Sequence, residues 1–290
     1  MKVCVTGASG FIGHHVAKAL HEAGHFVVGI DLMPPYQGTC DGWGNCDITC
    51  PLEKIPDLDA VIHLAALANP RECDANPAAA FNVNVNGTHQ VLKMALESGA
   101  KKVIFSSTAH VYGVGPKYLP TDEMHPLSLG NTYTTTKILG EELCRLFYEN
   151  HGLSYTVLRL FNAYGPGQRA GYFIPDMLAK AKVGDVSIGG HETTKDFVYI
   201  DDVAQAFVLA LETDFVGSIN IGTGIQTQLG AIAQKIAHEM GVNFSCTTWP
   251  NCTRMQADRN RAAKVLGWAP AINIWEGLRA TFRAAEKVAV

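Results

Sequence analysis

The first 31 residues limit the fold more than any other stretch of the chain. Lys2-Val3-Cys4-Val5-Thr6 is a short apolar run, followed by Gly7-Ala8-Ser9-Gly10-Phe11-Ile12-Gly13 and then a helical spacing of apolar residues at Ile12, Val16, Ala19, Leu20 and Ala23. A second apolar run, Phe26 to Ile30, ends at Asp31. The pattern reads as strand, glycine-rich turn, helix, strand and acid. Gly7 leaves the strand with a dihedral that a side chain resists, Gly10 lets a pyrophosphate approach the backbone, and Gly13 packs helix against sheet. Phosphate oxygens then meet the free amides of the first helical turn, around Phe11 and Ile12, at the positive end of the helix dipole. Asp31 stands 18 residues after Gly13 and 24 after Gly7. An acid at that spacing hydrogen-bonds a ribose 2′-OH and repels a 2′-phosphate, so the unit selects NAD over NADP.

With 290 residues, 47% of them hydrophobic, the chain can bury a large core in one big domain or two. The net charge of −4 is spread among interspersed acids and bases, which argues against a nucleic-acid face or a membrane-binding basic run. No apolar run approaches the ~18 residues of a membrane span, and the N-terminus turns to Gly and Ser before a signal-type apolar region develops. The cytoplasm is the expected location. The eight cysteines include no CxxC pair, so reduced thiols are expected; Cys40, Cys46 and Cys50 cluster in one loop without metal-ligand spacing, and no metal is expected.

After Asp31, residues 33 to 56 read as a loop with at most one short strand, of which Asp47-Ile48 is the part to watch. A buried strand over 59 to 66 ends in Leu64-Ala65-Ala66, small enough for a ligand to reach the backbone. The spacing predicts a long helix over 76 to 98, a strand Lys102 to Thr108, a second long helix over about 132 to 150, and a strand Ser154 to Phe161. Strands alternating with helices predict a doubly wound parallel sheet of the Rossmann type. Beyond Asn162 the elements shorten: a helix near 174 to 183, a strand near Phe197 to Ile200, helices over 202 to 212, 228 to 240 and 275 to 288, and a strand at Ile219 to Gly222. This half reads as a smaller C-terminal α/β substrate-binding lobe (about 163–195 and 226–290). The dinucleotide domain would take 1–162 together with about 196–225.

Tyr133 and Lys137 lie at i and i+4, on one face of a helix and one turn apart. A tyrosine has a pKa near ~10 and is a poor base at neutral pH. A lysine ammonium beside it, helped by the positive nicotinamide ring, favours the phenolate, at a cost of about 4 kcal/mol that two cations in a desolvated cleft can meet.

Thr6-Gly-x-x-Gly-x-x-Gly13, Asp31, Asp47, His63-Leu-Ala-Ala66, Asn84-Val-Asn-Gly-Thr88, Phe105-Ser-Ser-Thr-Ala-His-Val-Tyr-Gly113, Tyr133-x-x-x-Lys137 and Arg159-Leu-Phe-Asn-Ala-Tyr-Gly-Pro166 appear in order. With Thr194-Lys-Asp-Phe-Val-Tyr-Ile-Asp-Asp202, Asn220-Ile-Gly-Thr-Gly224 and Leu266-Gly-Trp-x-Pro270, the set resembles the extended short-chain dehydrogenases of the nucleotide-sugar epimerase/dehydratase family over nearly the whole chain. The resemblance implies Tyr133 as general base, Lys137 as its activator and ribose ligand, and Thr108 as the hydroxyl that bonds the sugar oxygen being oxidised. It implies Asp47 and Ile48 beside adenine, Leu64, Ala65 and Ala66 offering backbone to the cofactor, Asn84 near the nicotinamide, Ser106 and Phe161 bordering the cofactor, and Asn162 at the join with substrate. It also implies a homodimer in which the two long helices of each copy pair as a four-helix bundle.

Relatives that dehydrate the keto sugar carry Asp-Glu directly after the threonine, and those that epimerise at C3 and C5 carry Cys at the position of Ala109; this chain has Ala109-His110. What remains is rotation of a 4-keto sugar and return of the hydride, a 4-epimerisation with a UDP-hexose as first substrate. Dehydration, decarboxylation, 4-reduction, or a non-catalytic NAD(P)-sensing or RNA-binding role are the alternatives. His110 is expected to be structural, pointing away from Thr108 along a strand. Relatives place Arg where Lys195 stands and an Arg-Pro-Gly-Asp stretch where this chain has Thr248-Trp-Pro-Asn251, so Lys195, Arg169 and Arg254 are the candidates to hold the diphosphate.

Overall fold

The computed structural model describes residues 1–287. Along the chain run β1 (Lys2–Thr6), α1 (Phe11–Glu22), β2 (Phe26–Asp31), β3 (Gly42–Asn45), β4 (Ala60–His63), α2 (Pro70–Ala75), α3 (Pro77–Phe81), α4 (Gly87–Glu97), β5 (Lys102–Thr108), α5 (Thr132–His151) and β6 (Ser154–Leu160). There follow β7 (Asn162–Tyr164), α6 (Phe173–Lys182), β8 (Asp185–Gly189), β9 (Thr194–Lys195), β10 (Phe197–Tyr199), α7 (Ile200–Glu212), β11 (Gly217–Ile221), β12 (Thr227–Gln228), α8 (Leu229–Met240), β13 (Asn243–Thr247), α9 (Asn260–Leu266) and α10 (Ile274–Lys287). The expected end of the last helix at 288 lies outside the described residues.

Seven strands form one parallel sheet in the order β3-β2-β1-β4-β5-β6-β11. Both faces are covered, which is why its strands read as continuous apolar runs. Val3, Val5, Ile62, Ile104, Leu158 and Ile219 face one core with α1 and α7. Cys4, Val61, Val103, Phe105 and Val157 face the other, against α4 and α5. The strand order reverses direction between β1 and β4, and the carboxyl ends of those strands open the crevice where ligands of such sheets collect.

Several elements differ from expectation. The helix expected over 76–98 is interrupted: α3 passes through a π-helical turn, Asn82–Asn86, before α4 begins. The wide turn accommodates Asn84, whose buried side chain leaves the helix to bond the Leu67 backbone, while Gly87 packs against Ile48 where a Cβ would lie 2.7 Å from Cδ1. The short strand in the 33–56 loop is Gly42–Asn45, just before Asp47-Ile48. The strand expected to reach 66 stops at His63, because Leu64 N–H bonds Thr6 O and Ala65 N–H bonds Thr6 Oγ1, folding the chain over the glycine turn. The parallel pair β8–β13 and the antiparallel pair β9–β12 have no counterpart in the expected elements.

Two buried carboxylates tie the later segments down. Asp196, fully buried, accepts from Thr223 N–H and Oγ1 at 2.7 Å, Gly224 N–H at 2.8 Å and Ala257 N–H at 3.0 Å. Asp202 accepts from Ala271 and Ile272 N–H at 3.0 Å, and its carbonyl takes the indole N–H of Trp268 at 2.9 Å.

His63 joins the sheet to α4. Thr88 Oγ1 gives its one proton to Asn84 O (2.6 Å), so His63 Nε2 donates to Thr88 Oγ1 (3.0 Å) and Nδ1 accepts from Thr6 Oγ1 (2.7 Å). Burial, with a smaller push from the charge of Lys137, lowers its pKa from 6.5 to about 3. The stability this gives is present above pH 6.5 and is lost as pH falls toward 3, because the unfolded chain binds a proton that the folded one refuses. At pH 5 the loss amounts to about 2 kcal/mol relative to pH 8. Denaturant melts should therefore show His63→Gln less stable at pH 8 but falling about 2 kcal/mol less between pH 8 and pH 5 than the parent; an equally steep fall contradicts the assignment.

Candidate active site

The glycine turn is shaped for a ligand that comes close to backbone. Gly7 has φ +72°, and a Cβ on it would lie 2.7 Å from Ala65 N. A Cβ on Gly13 would fall 1.8 Å from Gly7 O, so only glycine lets α1 start there, whereas one on Gly10 would approach Gly7 O alone, at 3.2 Å. The first intrahelical bond runs from His14 N–H to Gly10 O, and no side chain caps the helix. The amides of Phe11, Ile12 and Gly13 therefore point from an uncapped positive helix end. Asp31, at the end of β2, is oriented by Ser9 N–H (3.0 Å) and Met33 N–H (3.1 Å), one on each carboxylate oxygen. These groups fit the diphosphate and ribose of a dinucleotide. Farther along the crevice Asp47 closes a turn through Thr49 N–H, and Ile48 is buried in the core.

At the other end of the crevice, α5 begins at the cap Asn131, whose Oδ1 accepts from Thr134 N–H at 2.8 Å. Tyr133, Lys137 and Glu141 form an i, i+4, i+8 stripe facing β5. Lys137 Nζ donates to Ser106 O at 2.8 Å and lies 4.9 Å from the Phe105 ring centre. Gly140 seats the helix on that ring, since a Cβ there would be 2.4 Å from Phe105 Cζ. This docking turns the Tyr133 phenol toward the Thr108 hydroxyl, close enough for Thr108 to pull its pKa down, although the two make no hydrogen bond in this structure. Burial dominates the electrostatics: it pushes Tyr133 well above its ordinary value, with Thr108 pulling the other way, and pulls Lys137 down to about 8 against the support of Glu141. The expected lowering of Tyr133 by Lys137 is thus not supplied by the protein alone.

Asn84 is buried and fully bonded within the protein. Its Oδ1 accepts from Leu67 N–H, and its Nδ2 donates to Leu67 O and to Thr136 Oγ1, which in turn bonds Tyr133 O. With its amide committed, Asn84 holds the first turn of α5 in place. Beneath Thr108 lies a network that the sequence reading missed. Arg159 pairs with Glu141 in two bonds, Nε to Oε1 at 3.0 Å and Nη2 to Oε2 at 2.6 Å, and Ser107 Oγ donates to the same Oε1. Arg159 Nη1 donates to Tyr112 OH, which donates to Asn220 Oδ1 at 2.6 Å. A charge inside the apolar strand Tyr155-Thr-Val-Leu-Arg-Leu160 was the available signal, because a buried guanidinium requires an acid opposite it.

His110 also departs from expectation. The strand ends at Thr108 and Ala109–Tyr112 form a 3₁₀ turn, so strand alternation does not point His110 away. Its N–H donates to Thr108 Oγ1 at 3.2 Å, while its ring makes no hydrogen bond with any described residue. Burial, reinforced by the nearby charge of Lys195, lowers its pKa to about 4 and keeps it neutral. Lys195 itself has no carboxylate partner among the described residues: its Nζ meets only Met255 Sδ, at 3.1 Å, and burial lowers its pKa. An unpaired, desolvated ammonium suits an anionic ligand. Arg254 is exposed and bridges Thr194 through its backbone, which places it on the same ribbon as Lys195. Arg169 is exposed and pairs with Glu72, 3.1 Å away. Asn162 Nδ2 donates to Asp196 O, and Phe161 packs with Ala109, Tyr112, Met255 and Ala257. Among the described residues no group of three or more His, Cys, Asp or Glu is placed to hold a metal ion, and no helix is long and apolar enough to cross a membrane.

A sequence model of the NAD dependent epimerase/dehydratase family matches residues 3–222. The putative UDP-glucose 4-epimerase of Methanocaldococcus jannaschii is 33% identical over 96% of each chain. The structure superimposes on that of the UDP-glucose 4-epimerase of Thermotoga maritima with UDP-glucose over 100% of both chains, at a TM-score of 0.90 and 29% identity. It superimposes on MoeE5 in complex with UDP-glucose and NAD over the same full span, at a TM-score of 0.91 and 27% identity.

Proposed function

The chain belongs to the NAD dependent epimerase/dehydratase family, and on that premise we propose that it is a nucleotide-sugar 4-epimerase that interconverts UDP-glucose and UDP-galactose through a transient 4-keto sugar. The observation that carries this reading is the end of β5: a threonine that Tyr133 faces, followed by Ala109 and a neutral His110 in place of an acid-base pair. NAD would be held by Gly7, Gly10, Phe11, Ile12, Gly13 and Asp31, and when bound it supplies a cationic ring and the group that takes the C4 hydride and gives it back.

Tyr133 takes the proton of the sugar 4-hydroxyl as that carbon is oxidised, and returns it when the carbonyl is reduced. Thr108 bonds the same oxygen and relays its orientation. Lys137, anchored to Ser106 O, keeps a positive charge beneath the cleft at neutral pH, since its pKa stays at about 8. Ala109 carries no ionisable group and burial holds His110 neutral, so the acid-base pair that dehydration needs is not assembled beside Thr108. That favours rotation of the keto sugar over loss of water from it. Lys195 and Arg254 meet the diphosphate. The dinucleotide domain is residues 1–162 with about 196–225, and the substrate lobe is about 163–195 and 226–290. The protein works in the cytoplasm as a homodimer. Of the apolar positions on the long helices, Val91, Leu92 and Ala95 are buried within one copy, whereas Leu139 and Leu146 on α5, like Phe81 on α3 and Leu96 on α4, are exposed and offer the partner apolar surface; a light-scattering mass of one chain contradicts this.

Tyr133→Phe keeps the ring and removes only the ionisable oxygen. It should retain bound NAD, read as nucleotide released on denaturation, while turnover of UDP-glucose falls by ~10²–10⁴-fold. The parent product should have unchanged mass and inverted C4 by NMR; loss of water or carbon dioxide as the main outcome overturns the reading.

A further inference from the structure

Trp249 sits in the loop that replaces the family's Arg-Pro-Gly-Asp stretch, and it is 59% exposed. Its indole covers the Gly189–Gly190 backbone. A Cβ on Gly189 would lie 2.5 Å from Nε1 and 2.7 Å from Cε2, and a Cβ on Gly190 would lie 2.7 Å from Cε3. Both rings of the indole therefore rest on two consecutive residues that must be glycine, and Gly190 also has φ +66°. One face is shut by backbone, so the exposure belongs to the opposite face. The loop is tied on both sides of the indole: Gly190 N–H donates to Thr247 O at 2.9 Å, His191 Nδ1 meets the same oxygen at 3.2 Å, and Cys252 Sγ donates to Trp249 O at 3.5 Å. A large aromatic face seated on backbone and open to solvent is a stacking platform.

The neighbouring ribbon shows what such a platform would hold. Thr194 N–H bonds Thr253 O and Met255 N–H bonds Thr194 O, so the segments around 194 and 254 run side by side. They carry Lys195, whose buried ammonium meets no carboxylate among the described residues, and Arg254, whose side chain forms no ion pair with any of them. Lys195 in turn lies near His110, two residues from Thr108. On neighbouring segments the protein thus carries a sugar-oxidising hydroxyl, two unpaired cations and an open indole. A nucleoside diphosphate sugar presents sugar, diphosphate and base in that order.

We propose that Trp249, seated on Gly189–Gly190, is the platform on which the base of the nucleotide-sugar substrate stacks, with Lys195 and Arg254 taking the adjoining diphosphate. The proposal rests on the reading of the substrate as a nucleoside diphosphate sugar. Recognition is by the π face, because the polar side chains nearest the ribbon are spent on each other: Gln226 Nε2 bonds Gln256 Oε1 at 3.0 Å, Thr194 Oγ1 bonds Gln226 Oε1 at 2.7 Å, and Gln256 Nε2 bonds Gly224 O at 2.8 Å.

Calorimetric titration of the NAD-loaded protein with UDP and with inorganic pyrophosphate separates the two halves of the site. Stacking of one base corresponds to about 5- to 150-fold in Kd. Trp249→Ala should weaken UDP by that factor, Trp249→Phe should restore most of it, and the Kd for pyrophosphate should be the same in all three proteins. The proposal is overturned by a UDP Kd unchanged in Trp249→Ala, by an equal loss of UDP and pyrophosphate, which marks a collapsed loop, or by a parent that binds no UDP. The reaction assignment fails separately: tryptophan-dependent UDP binding without inversion of UDP-glucose at C4 would remove the 4-epimerase and leave the platform.

Discussion

The docking of α5 on the end of β5 is the contact on which the site depends. Three side-chain positions on one stripe of the helix make it: Lys137 reaches Ser106 O, Gly140 admits the Phe105 ring, and Glu141 accepts from Ser107 and pairs with Arg159. Together they touch Phe105, Ser106 and Ser107 of the strand that ends in Thr108, so the helix cannot rotate without breaking all three. Tyr133 lies one turn before Lys137 on the same stripe and is delivered to Thr108 as a consequence. The Glu141–Arg159 pair is buried on both sides. Removing one partner of such a pair costs about 3–5 kcal/mol, much of it from the charge left behind. A buried ion pair is thus spent on position, and Asn84 adds a second brace through Thr136.

The groups so positioned are left electrostatically incomplete by the protein. Burial raises Tyr133 and lowers Lys137, the reverse of what proton transfer at neutral pH asks of the tyrosine. Lys195 is desolvated against a thioether, and the ring of His110 has no hydrogen-bond partner among the described residues. Groups with unmet electrostatic requirements that converge on one crevice are what a ligand-binding cleft leaves for its ligands to complete. A cation brought into the cleft lowers Tyr133, and an anion restores Lys195.

Much of this was legible in the sequence where a local rule applies. The dinucleotide unit could be read because Gly7, Gly10, Gly13 and Asp31 answer to backbone and phosphate geometry alone, and the alternation of strands and helices predicted the parallel sheet. The reading failed where a distant partner decides the local form. The π-helical turn at Asn82–Asn86 depends on Leu67 and Thr136. His110 was assigned by strand alternation, but the strand ends two residues earlier. β8 carries its alternation, Val186 and Ile188 inward, over only five residues, and its partner β13 is almost wholly exposed, so neither stands out as a strand.

The central claim is that one hydrogen leaves C4 of the sugar and returns to the same carbon from the other side. The most direct test is to supply UDP-glucose carrying deuterium at C4 to the purified protein, without added reductant, and to follow the label in the product by NMR and mass spectrometry. The account predicts UDP-galactose with the deuterium still at C4 and none in the solvent. Product with hydrogen at C4, or with the label washed out into water, would contradict it.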